Sequence, residues 1–290
     1  MAGPLRIATR SSELARFQAT FVGEQLGVPF VLVEVSTSGD MDVAKSLREI
    51  AGQGVFVKEV QQAVLTCHAD IAVHSAKDMP TASVDGLHIS AVLRRADPRD
   101  AIVGVPFDRL EEGAKIGTSS ARRMAMLRRI RPDLKFIEIR GNIATRIAKS
   151  DELDAVVVAK AALDRLGLSE KISYVFEPDE LCPQIGQGTL AVESRLDRND
   201  LASVLGQIDD LEANRTLTAE RALLAQLGSG CSLPVGAFGV AVEDLVDLYA
   251  IVASLDGSKA LEVAGTGGDP EAIGMELGRR LIDMGAMELL

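Results

Sequence analysis

Short apolar runs alternate with helix-like stretches through about the first two thirds of the chain, and this alternation constrains the fold most strongly. Each run has the length of a buried strand, and strands that alternate with helices are typical of parallel α/β architecture. The runs predict seven strands: Leu5–Ala8, Phe30–Val35, Ile71–Val73, His88–Val92, Ile102–Val105, Phe136–Ile139 and Ala155–Val158. We therefore expect an α/β fold over this region.

Two pairs of segments within this region echo each other. Arg6–Ser12 resembles Lys115–Ser120, and Asp70–Val73 resembles Asp154–Val157. Such an echo is what two similar lobes around a shared cleft would leave in the sequence. Ligands of open α/β sheets bind at the carboxyl ends of strands, often between domains. The predicted fold class is therefore α/β, with two periplasmic-binding-protein-like lobes around a cleft.

The last part of the chain has a different pattern. After a helical stretch near Leu211–Leu227, the segments Val235–Val242, Leu245–Ala253 and Leu261–Thr266 predict antiparallel strands, and Pro270–Met284 predicts a closing helix. Glycine and proline mark two crossings between the lobes, at Arg94–Asp100 and at Pro183–Gly188. The predicted division is lobe 1 at 1–95 and 189–208, lobe 2 at 96–188, and a small C-terminal α+β domain at 209–290.

Composition excludes several classes of protein. The 290 residues are 47% hydrophobic, which is enough for globular cores. Three cysteines without paired spacing and three dispersed histidines argue against a disulfide framework and against a metal site. The chain starts without a signal-peptide pattern and has no apolar run of membrane-spanning length. We expect a monomeric cytoplasmic protein that binds no metal and no membrane.

Basic residues are concentrated between positions 115 and 149, where ten Lys and Arg face two acids, Asp133 and Glu138. The whole chain has a formal net charge of -11. Nucleic-acid-binding proteins usually carry an overall basic charge, and aromatic platforms for bases are scarce here. The segment therefore predicts a site for a small polyanion rather than for nucleic acid. A solvated basic helix face is the alternative.

Two strand-to-helix junctions within this basic segment predict how the anion is held. Thr118–Ser120 precede a helix that carries Arg122 and Arg123, and Arg140–Asn142 precede a helix that carries Arg146. Helix N-termini favour anions, and the guanidinium fork matches a carboxylate or phosphate. The core-facing positions predicted for the first helix are Met124, Leu127 and Ile130. Adjacent junctions of this kind predict a crevice for several anionic groups.

A buried strand over Asp70–Val73 delivers His74, Ser75, Lys77 and Asp78 just past its carboxyl end. A carboxylate beside an ammonium should stay ionised, where it can stabilise a cationic intermediate or relay a proton. A structural Lys-Asp turn is the alternative. A Ser-His nucleophile is disfavoured because neighbouring residues of a strand point to opposite faces, so His74 is interpreted as a hydrogen-bonded structural histidine.

Three further segments contain candidate functional residues. Gly228–Pro234 places Cys231 in a turn of small residues after a long helix, where a thiolate could attack an electrophile, although a buried inert thiol is the alternative. Arg6–Ala15 repeats the combination of strand, hydroxyl and arginine in the first lobe. The segment Gly52–Glu59 contains a glycine loop that ends at Lys58. The last two segments could also be ordinary loops.

Together these segments resemble the porphobilinogen deaminase family, also called the hydroxymethylbilane synthase family, over nearly the whole chain and in the same order. The segments that carry the resemblance are Arg6–Ala15, Phe56–Glu59, Asp70–Pro80, Asp97–Asp100, Gly117–Arg123, Arg140–Asn142 with Thr145 and Arg146, Gly186–Gly188, and Gly230–Cys231 with Pro234.

The resemblance implies a transferase that joins four porphobilinogen molecules head to tail, releases ammonia and frees linear hydroxymethylbilane by hydrolysis. It implies a dipyrromethane cofactor, attached to Cys231 by a thioether, as the primer. Asp78 would be the catalytic carboxylate that assists loss of the amino group and stabilises the cationic azafulvene. The implied cofactor-binding residues are Cys231, Lys77, Ser75, Thr118, Ser119, Arg122, Arg123, Arg140 and Arg146. The implied substrate-binding residues are Arg10, Ser12, Lys58 and Gln187.

The chain departs from the usual family pattern at Gln53, Ala162, Gln184 and Gly228–Ser229. These positions bear on loop closure, cofactor seating and turnover rate, because none of them removes a catalytic side chain. One alternative function is a two-lobed anion-binding or effector-sensing module, which would need neither Asp78 nor Cys231. A carbamoyl or phosphate-group transferase is another alternative, but it leaves the cysteine turn without a role.

Overall fold

The structure is a computed structural model that describes residues 3–36, 57–228 and 233–290. Two compact units divide the chain: unit 1 is Met1–Arg95 with Thr189–Asn214, and unit 2 is Ala96–Gly188 with Arg215–Leu290. Over the described ranges, each helix is either too short or too polar to span a bilayer. The predicted three-domain boundaries stay a prediction.

The strands and helices of the described residues are, in chain order, β1 (Leu5–Arg10), α1 (Glu13–Leu26), β2 (Phe30–Val35), α2 (Lys58–Leu65), β3 (Ile71–Ser75), β4 (Leu87–Val92), β5 (Asp100–Gly104), β6 (Lys115–Gly117), α3 (Ala121–Ile130), β7 (Lys135–Ile137), α4 (Ile143–Ala148), β8 (Ala155–Ala159), α5 (Lys160–Arg165), β9 (Ile172–Val175), β10 (Leu190–Arg195), α6 (Ala202–Leu205), α7 (Leu211–Gln226), β11 (Val235–Val242), β12 (Leu245–Ala253), β13 (Ala260–Gly267) and α8 (Pro270–Asp283).

Unit 1 contains a five-stranded sheet with the order β2-β1-β3-β10-β4. Helix α1 packs against one face of this sheet, in a buried cluster that includes Ile7 of β1 and Ile71 of β3. Helix α2 shares another cluster with Ala8 and Ala72, because successive side chains of a strand point to opposite faces. The sheet is therefore covered on both faces.

Unit 2 contains a five-stranded sheet with the order β7-β6-β8-β5-β9. In each unit the fourth strand of that order is antiparallel to its neighbours, β10 in unit 1 and β5 in unit 2, so the two sheets share one topology. The α/β class with two similar lobes is confirmed. The predicted parallel α/β pattern holds except for one antiparallel strand in each sheet, because β5 and β10 each begin just after the chain passes from one unit to the other. Each of them starts at the carboxyl edge, where Asp100 pairs with Ala159 and Leu190 pairs with Ser75.

The C-terminal part of unit 2 is a smaller antiparallel sheet with the order β11-β12-β13. Helix α8 begins at Pro270 after an Asp269 cap that accepts hydrogen bonds from two backbone N–H groups. The apolar face of α8 packs with α7 against this sheet. The predicted small α+β domain is thus confirmed, and β11 and β12 have the predicted bounds.

One predicted core residue of α3 is misplaced. Met124 and Leu127 are buried as expected, but Ile130 is 44% exposed. At ~100° per residue, Ile130 lies within about 20° of the buried Arg123, so its exposure comes from its place in the last turn of α3, where Arg129 is exposed as well. Strands β9 and β10 lie outside the apolar runs used for prediction. Strand β10 includes the buried polar side chains of Glu193 and Ser194, which interrupt its apolar pattern.

Candidate active site

The turn after β3 presents the predicted catalytic residues of unit 1. A single 3₁₀ turn over Ala76–Asp78 follows the strand, and Ser75, Lys77 and Asp78 are all half-buried there. The Ala76 N–H donates to the Thr189 carbonyl oxygen at 3.0 Å, and the Met79 N–H donates to the Ala76 carbonyl oxygen at 3.2 Å. These bonds tie the turn to the start of β10 and hold Asp78 near solvent.

The neighbouring strand β1 brings two predicted substrate-binding residues to the same edge of the sheet. Strands β1 and β3 are parallel, with Ala8 paired to Ala72, so their carboxyl ends lie together. Arg10 ends β1, and the Ser12 hydroxyl caps α1 by accepting the Ala15 N–H at 3.4 Å. Arg10, Ser12 and Asp78 therefore belong to one edge, which also contains the points where the chain leaves and re-enters unit 1. Lys58 is exposed at the first residue of α2.

In unit 2, both predicted junctions have the expected local structure. The Ser120 hydroxyl caps α3 by accepting the Arg123 N–H at 3.4 Å, and Thr118 is buried beside it. Ser119 joins the two junctions, since its hydroxyl donates to the Ile139 carbonyl oxygen at 2.5 Å and accepts the Ile139 N–H at 3.1 Å. The two loops therefore form one connected surface at the carboxyl ends of β6 and β7.

The second junction carries Arg140 and Arg146, both half-buried. The Asn142 side chain caps α4 by accepting the Thr145 N–H at 2.9 Å. The Arg146 Nε donates to the Gly141 carbonyl oxygen at 2.9 Å, which holds the guanidinium group against the turn. Arg140 thus precedes the helix, and Arg146, which lies in the last turn of α4, reaches back to the turn before it.

Arg122 and Arg123 converge on a buried carboxylate that is not evident from the sequence. Asp100, fully buried at the start of β5, accepts 2.6 Å bonds from Arg122 and from Arg123. The remaining bonds run to carbonyl oxygens, from Arg122 to Cys182 and from Arg123 to Val157. The loop therefore does not present two free guanidinium groups, because each of them is buried against Asp100.

The electrostatics of this cluster keep Asp100 ionised. Burial alone would raise the pKa of Asp100, but the guanidinium groups of Arg122 and Arg123 outweigh burial and hold that pKa well below its usual range. The Arg122 Nε is buried and has no hydrogen-bond partner among the described residues. This donor is enclosed by protein and is not open to solvent.

Gln187 and the adjacent Gly188 belong to the same cluster in unit 2. The Gln187 amide donates to the Pro98 carbonyl oxygen at 2.7 Å and to Asp100 at 3.0 Å. Arg165 donates to the Gly188 carbonyl oxygen at 2.7 Å, and burial lowers the pKa of Arg165 to about 10. Arg165 is absent from the sequence prediction. Its signal is a cation at the last position of α5, after the apolar residues and Asp164.

The rest of the basic segment is not directed to this site. Arg128 donates to the Leu255 carbonyl oxygen at 2.6 Å, and Arg129 lies 2.6 Å from Glu262. Arg131 pairs with Asp133 at 2.7 Å. The interpretation of the whole segment as one anion-binding wall is therefore wrong: part of its charge binds the C-terminal sheet and its own turns.

Cys231, the predicted attachment residue, lies outside the described residues, as do Gln53 and Ser229. Over the described ranges, no three His, Cys, Asp or Glu side chains are grouped so that they could hold a metal ion. The roles predicted for individual site residues stay predictions.

Known proteins resemble the chain over its full length. A family model described as porphobilinogen deaminase, dipyromethane cofactor binding domain, matches residues 5–203, and the C-terminal domain model of the same family matches residues 214–283. A porphobilinogen deaminase of Bacillus cereus is 42% identical over 98% of this chain and 96% of its own length. One from Roseiflexus castenholzii is 40% identical over 100% of this chain and 99% of its own.

Among solved structures, the periplasmic VFT2 domain of Bordetella pertussis BvgS is 17% identical, with a TM-score of 0.41 over 75% of this chain and 92% of that one. The two family models together span both sheets, the arginine junctions, the Asp78 turn and most of the C-terminal domain. The chain belongs to the porphobilinogen deaminase family.

Proposed function

We propose that this chain is a hydroxymethylbilane synthase that joins four porphobilinogen molecules head to tail and then releases the linear tetrapyrrole by hydrolysis. Membership of the porphobilinogen deaminase family supports the reaction. The observation that carries the assignment of residues is the shared sheet edge of unit 1, where Asp78 follows β3 and Arg10 ends the parallel neighbour β1. This edge offers a carboxylate for chemistry and a cation for binding. The cytoplasmic location and the monomeric state remain predictions from the sequence.

Asp78 is the proposed catalytic carboxylate. Each condensation breaks the C–N bond of the aminomethyl group of the incoming porphobilinogen, forms a C–C bond to the free carbon of the pyrrole at the end of the growing chain, and releases from that carbon a proton that ammonia carries away as ammonium. Loss of ammonia leaves a cationic pyrrole, and a carboxylate held close to that charge lowers the barrier. Asp78 is half-buried beside Lys77 in the turn after β3, so a substrate can contact it without any change in the conformation of the strand.

The substrate is itself an anion, because each porphobilinogen carries an acetate and a propionate side chain. A growing chain therefore needs several cations and hydroxyl donors. The proposed substrate-binding residues are Arg10, Ser12, Lys58 and Gln187. Of these, Gln187 is fully buried against Asp100, so its side chain is more restrained than the other three.

The residues of unit 2 fit a dipyrromethane cofactor. Arg140 and Arg146 provide donors for its carboxylates, Thr118 and Ser119 provide hydroxyls at the same junctions, and Arg122 lies buried behind them. The other residues proposed to hold it are Ser75, Lys77 and Arg123, with a thioether to Cys231. When bound, the cofactor supplies the terminal pyrrole carbon to which the first substrate unit is joined.

Turnover of Asp78→Asn tests the proposal. We expect the variant to fold and to consume porphobilinogen about 10²- to 10⁴-fold more slowly, the usual cost of losing a positioned acid or base. Asp85→Asn is the matched control, since Asp85 is an exposed carboxylate of the same unit. Ammonia and hydroxymethylbilane release would be measured for both variants. Normal turnover by Asp78→Asn would contradict the role of Asp78.

A further inference from the structure

Three buried side chains of unit 1 meet where α2, β3 and β10 pack together. Gln61 of α2, His74 of β3 and Glu193 of β10 are each at most 5% exposed. The Gln61 amide donates to both carboxylate oxygens of Glu193, at 3.1 and 2.8 Å. The His74 Nε2 lies 3.0 Å from Glu193 Oε2. Glu193 therefore bridges two elements that are far apart in sequence.

The contact between His74 and Glu193 is close but does not have the geometry of a hydrogen bond. Although the two atoms are 3.0 Å apart, the His74 Nε2 has no aligned hydrogen bond among the described residues. Such a contact depends on the charge of the carboxylate rather than on the direction of an N–H bond. The Gln61 bonds orient that carboxylate, because one amide spans both of its oxygens.

This cluster lies directly behind the catalytic turn. His74 is the last fully buried residue of β3 before Ser75, and the 3₁₀ turn that contains Asp78 starts two residues after His74. Strand β10 pairs with β3 through Ala191 and His74, and the Ala76 N–H is bonded at the start of β10. A shift of His74 would therefore be transmitted to the turn.

Stability alone does not explain a buried carboxylate at this place. Taking a charge out of water is costly, and buried ionic groups can often be replaced by apolar ones of similar volume without loss of stability. Ala72, on the same face of β3, already packs against the apolar residues Val60 and Val64 of α2. An apolar side chain at position 193 alone would leave the buried Gln61 amide and His74 Nε2 without this carboxylate, so only replacement of the whole cluster could preserve stability.

We propose that Glu193, oriented by Gln61, is a positioning residue that fixes His74 and thereby the turn that presents Lys77 and Asp78 to the substrate. The proposal rests on the catalytic role proposed above for Asp78. Removing the charge at position 193 should lower kcat and leave KM nearly unchanged. The reason is that a misplaced catalytic group can cost up to ~100-fold in rate while the binding residues stay in place.

Two variants of the full chain separate positioning from packing. Glu193→Gln removes the charge and keeps the size of the side chain. The exchange Gln61→Glu with Glu193→Gln restores the bond between amide and carboxylate but moves the negative charge from β10 to α2. Asp70→Asn is the matched control, because Asp70 is a buried carboxylate just before β3 that contacts Arg6 and Arg198 instead of His74. For each variant, Tm, kcat and KM would be measured with porphobilinogen.

We expect Glu193→Gln to lose about tenfold or more in kcat, with KM within about twofold of the wild type. The exchange should recover the wild-type Tm but not kcat, whereas Asp70→Asn should lower Tm and keep kcat. Recovery of kcat by the exchange, or wild-type kcat in Glu193→Gln, would overturn the proposal. Should Glu193→Gln fail to fold, His74→Asn replaces it, with the same expected loss of kcat and the same contradiction if kcat is normal.

A readout without substrate keeps this proposal separate from the proposed function. Amide hydrogen exchange at Ala76 and Met79, whose N–H groups are bonded within and beside the turn, reports the order of the turn directly. Faster exchange in Glu193→Gln at these two amides, with unchanged exchange in α1, is expected. Unchanged exchange at Ala76 and Met79 would overturn the positioning role. Failure of the wild-type chain to consume porphobilinogen would contradict only the proposed function.

Discussion

Asp100→Asn should be the most destabilising small substitution in the arginine cluster. The wild-type carboxylate accepts bonds from Arg122 at 2.6 Å, from Arg123 at 3.1 and 2.6 Å, and from Gln187 at 3.0 Å, and it is fully buried. Asparagine keeps the shape but offers one oxygen and an NH₂ group. The NH₂ group would face a guanidinium donor, and two buried cations would lose their shared counter-charge.

The magnitude follows from this burial. Removing one partner of a buried ion pair costs about 3–5 kcal/mol, because the remaining charge stays buried without compensation. That cost is a fifth or more of the ~5–15 kcal/mol that stabilises a typical domain. At about 2–4 °C per kcal/mol for a domain of this size, Tm should fall by ~6–20 °C.

Thermal and urea unfolding, followed by circular dichroism, would measure this loss. Asp133→Asn is the matched control, since Asp133 is also paired with an arginine, Arg131, but at a more exposed position. We expect only a small change for the control, as is usual for surface ion pairs. A Tm for Asp100→Asn within ~2 °C of the wild type would refute the reasoning, because the buried guanidinium groups would then not need Asp100.

Two further predictions follow from the same unit. Because the folded-state pKa of Asp100 is depressed, its contribution to stability is complete above the unfolded pKa of ~3.9 and is lost as pH falls toward the folded value. The difference in unfolding free energy between wild type and Asp100→Asn should therefore be constant above about pH 5 and shrink in acid, and a difference that grows in acid would contradict the assignment. Gly188→Ala should cost about 2–4 kcal/mol, since Gly188 has φ +89° and an added Cβ would collide with the Ala96 carbonyl oxygen. Gly167→Ala, at φ +67° with open space around it, should cost only ~1 kcal/mol, and equal losses measured by urea unfolding would contradict the steric argument.

Much of the fold could be predicted from local sequence patterns. Strands β2, β11 and β12 have their predicted bounds, because each is an unbroken strand-forming run between turn residues. The antiparallel direction of β5 and β10 depends on where the chain passes between units, which no window of sequence contains. The exposure of Ile130 likewise depends on where the covering of α3 ends, since residues 121–127 are all buried and the last turn is not.

The candidate site was predictable in its parts but not in its pairings. Ser120 caps its helix, as predicted for the loop Thr118–Ser120, and Asn142 of the predicted turn also caps a helix, since caps depend on neighbouring residues. The partner of Arg122 and Arg123 is Asp100, more than twenty positions away, and this pairing follows from sheet order instead. For the same reason, the burial of both guanidinium groups against Asp100 could not be predicted, although the position of the junction was.

The central claim is that the chain carries a covalent dipyrromethane primer on Cys231, and intact-mass measurement of the purified protein tests it most directly. We predict a wild-type mass that exceeds the sequence by two linked pyrrole units, no added mass in Cys231→Ser, and the full added mass in Cys67→Ser, in which the exposed cysteine of unit 1 is replaced. A wild-type chain that stays unmodified and inactive after exposure to porphobilinogen, or an added mass that survives in Cys231→Ser, would contradict the claim.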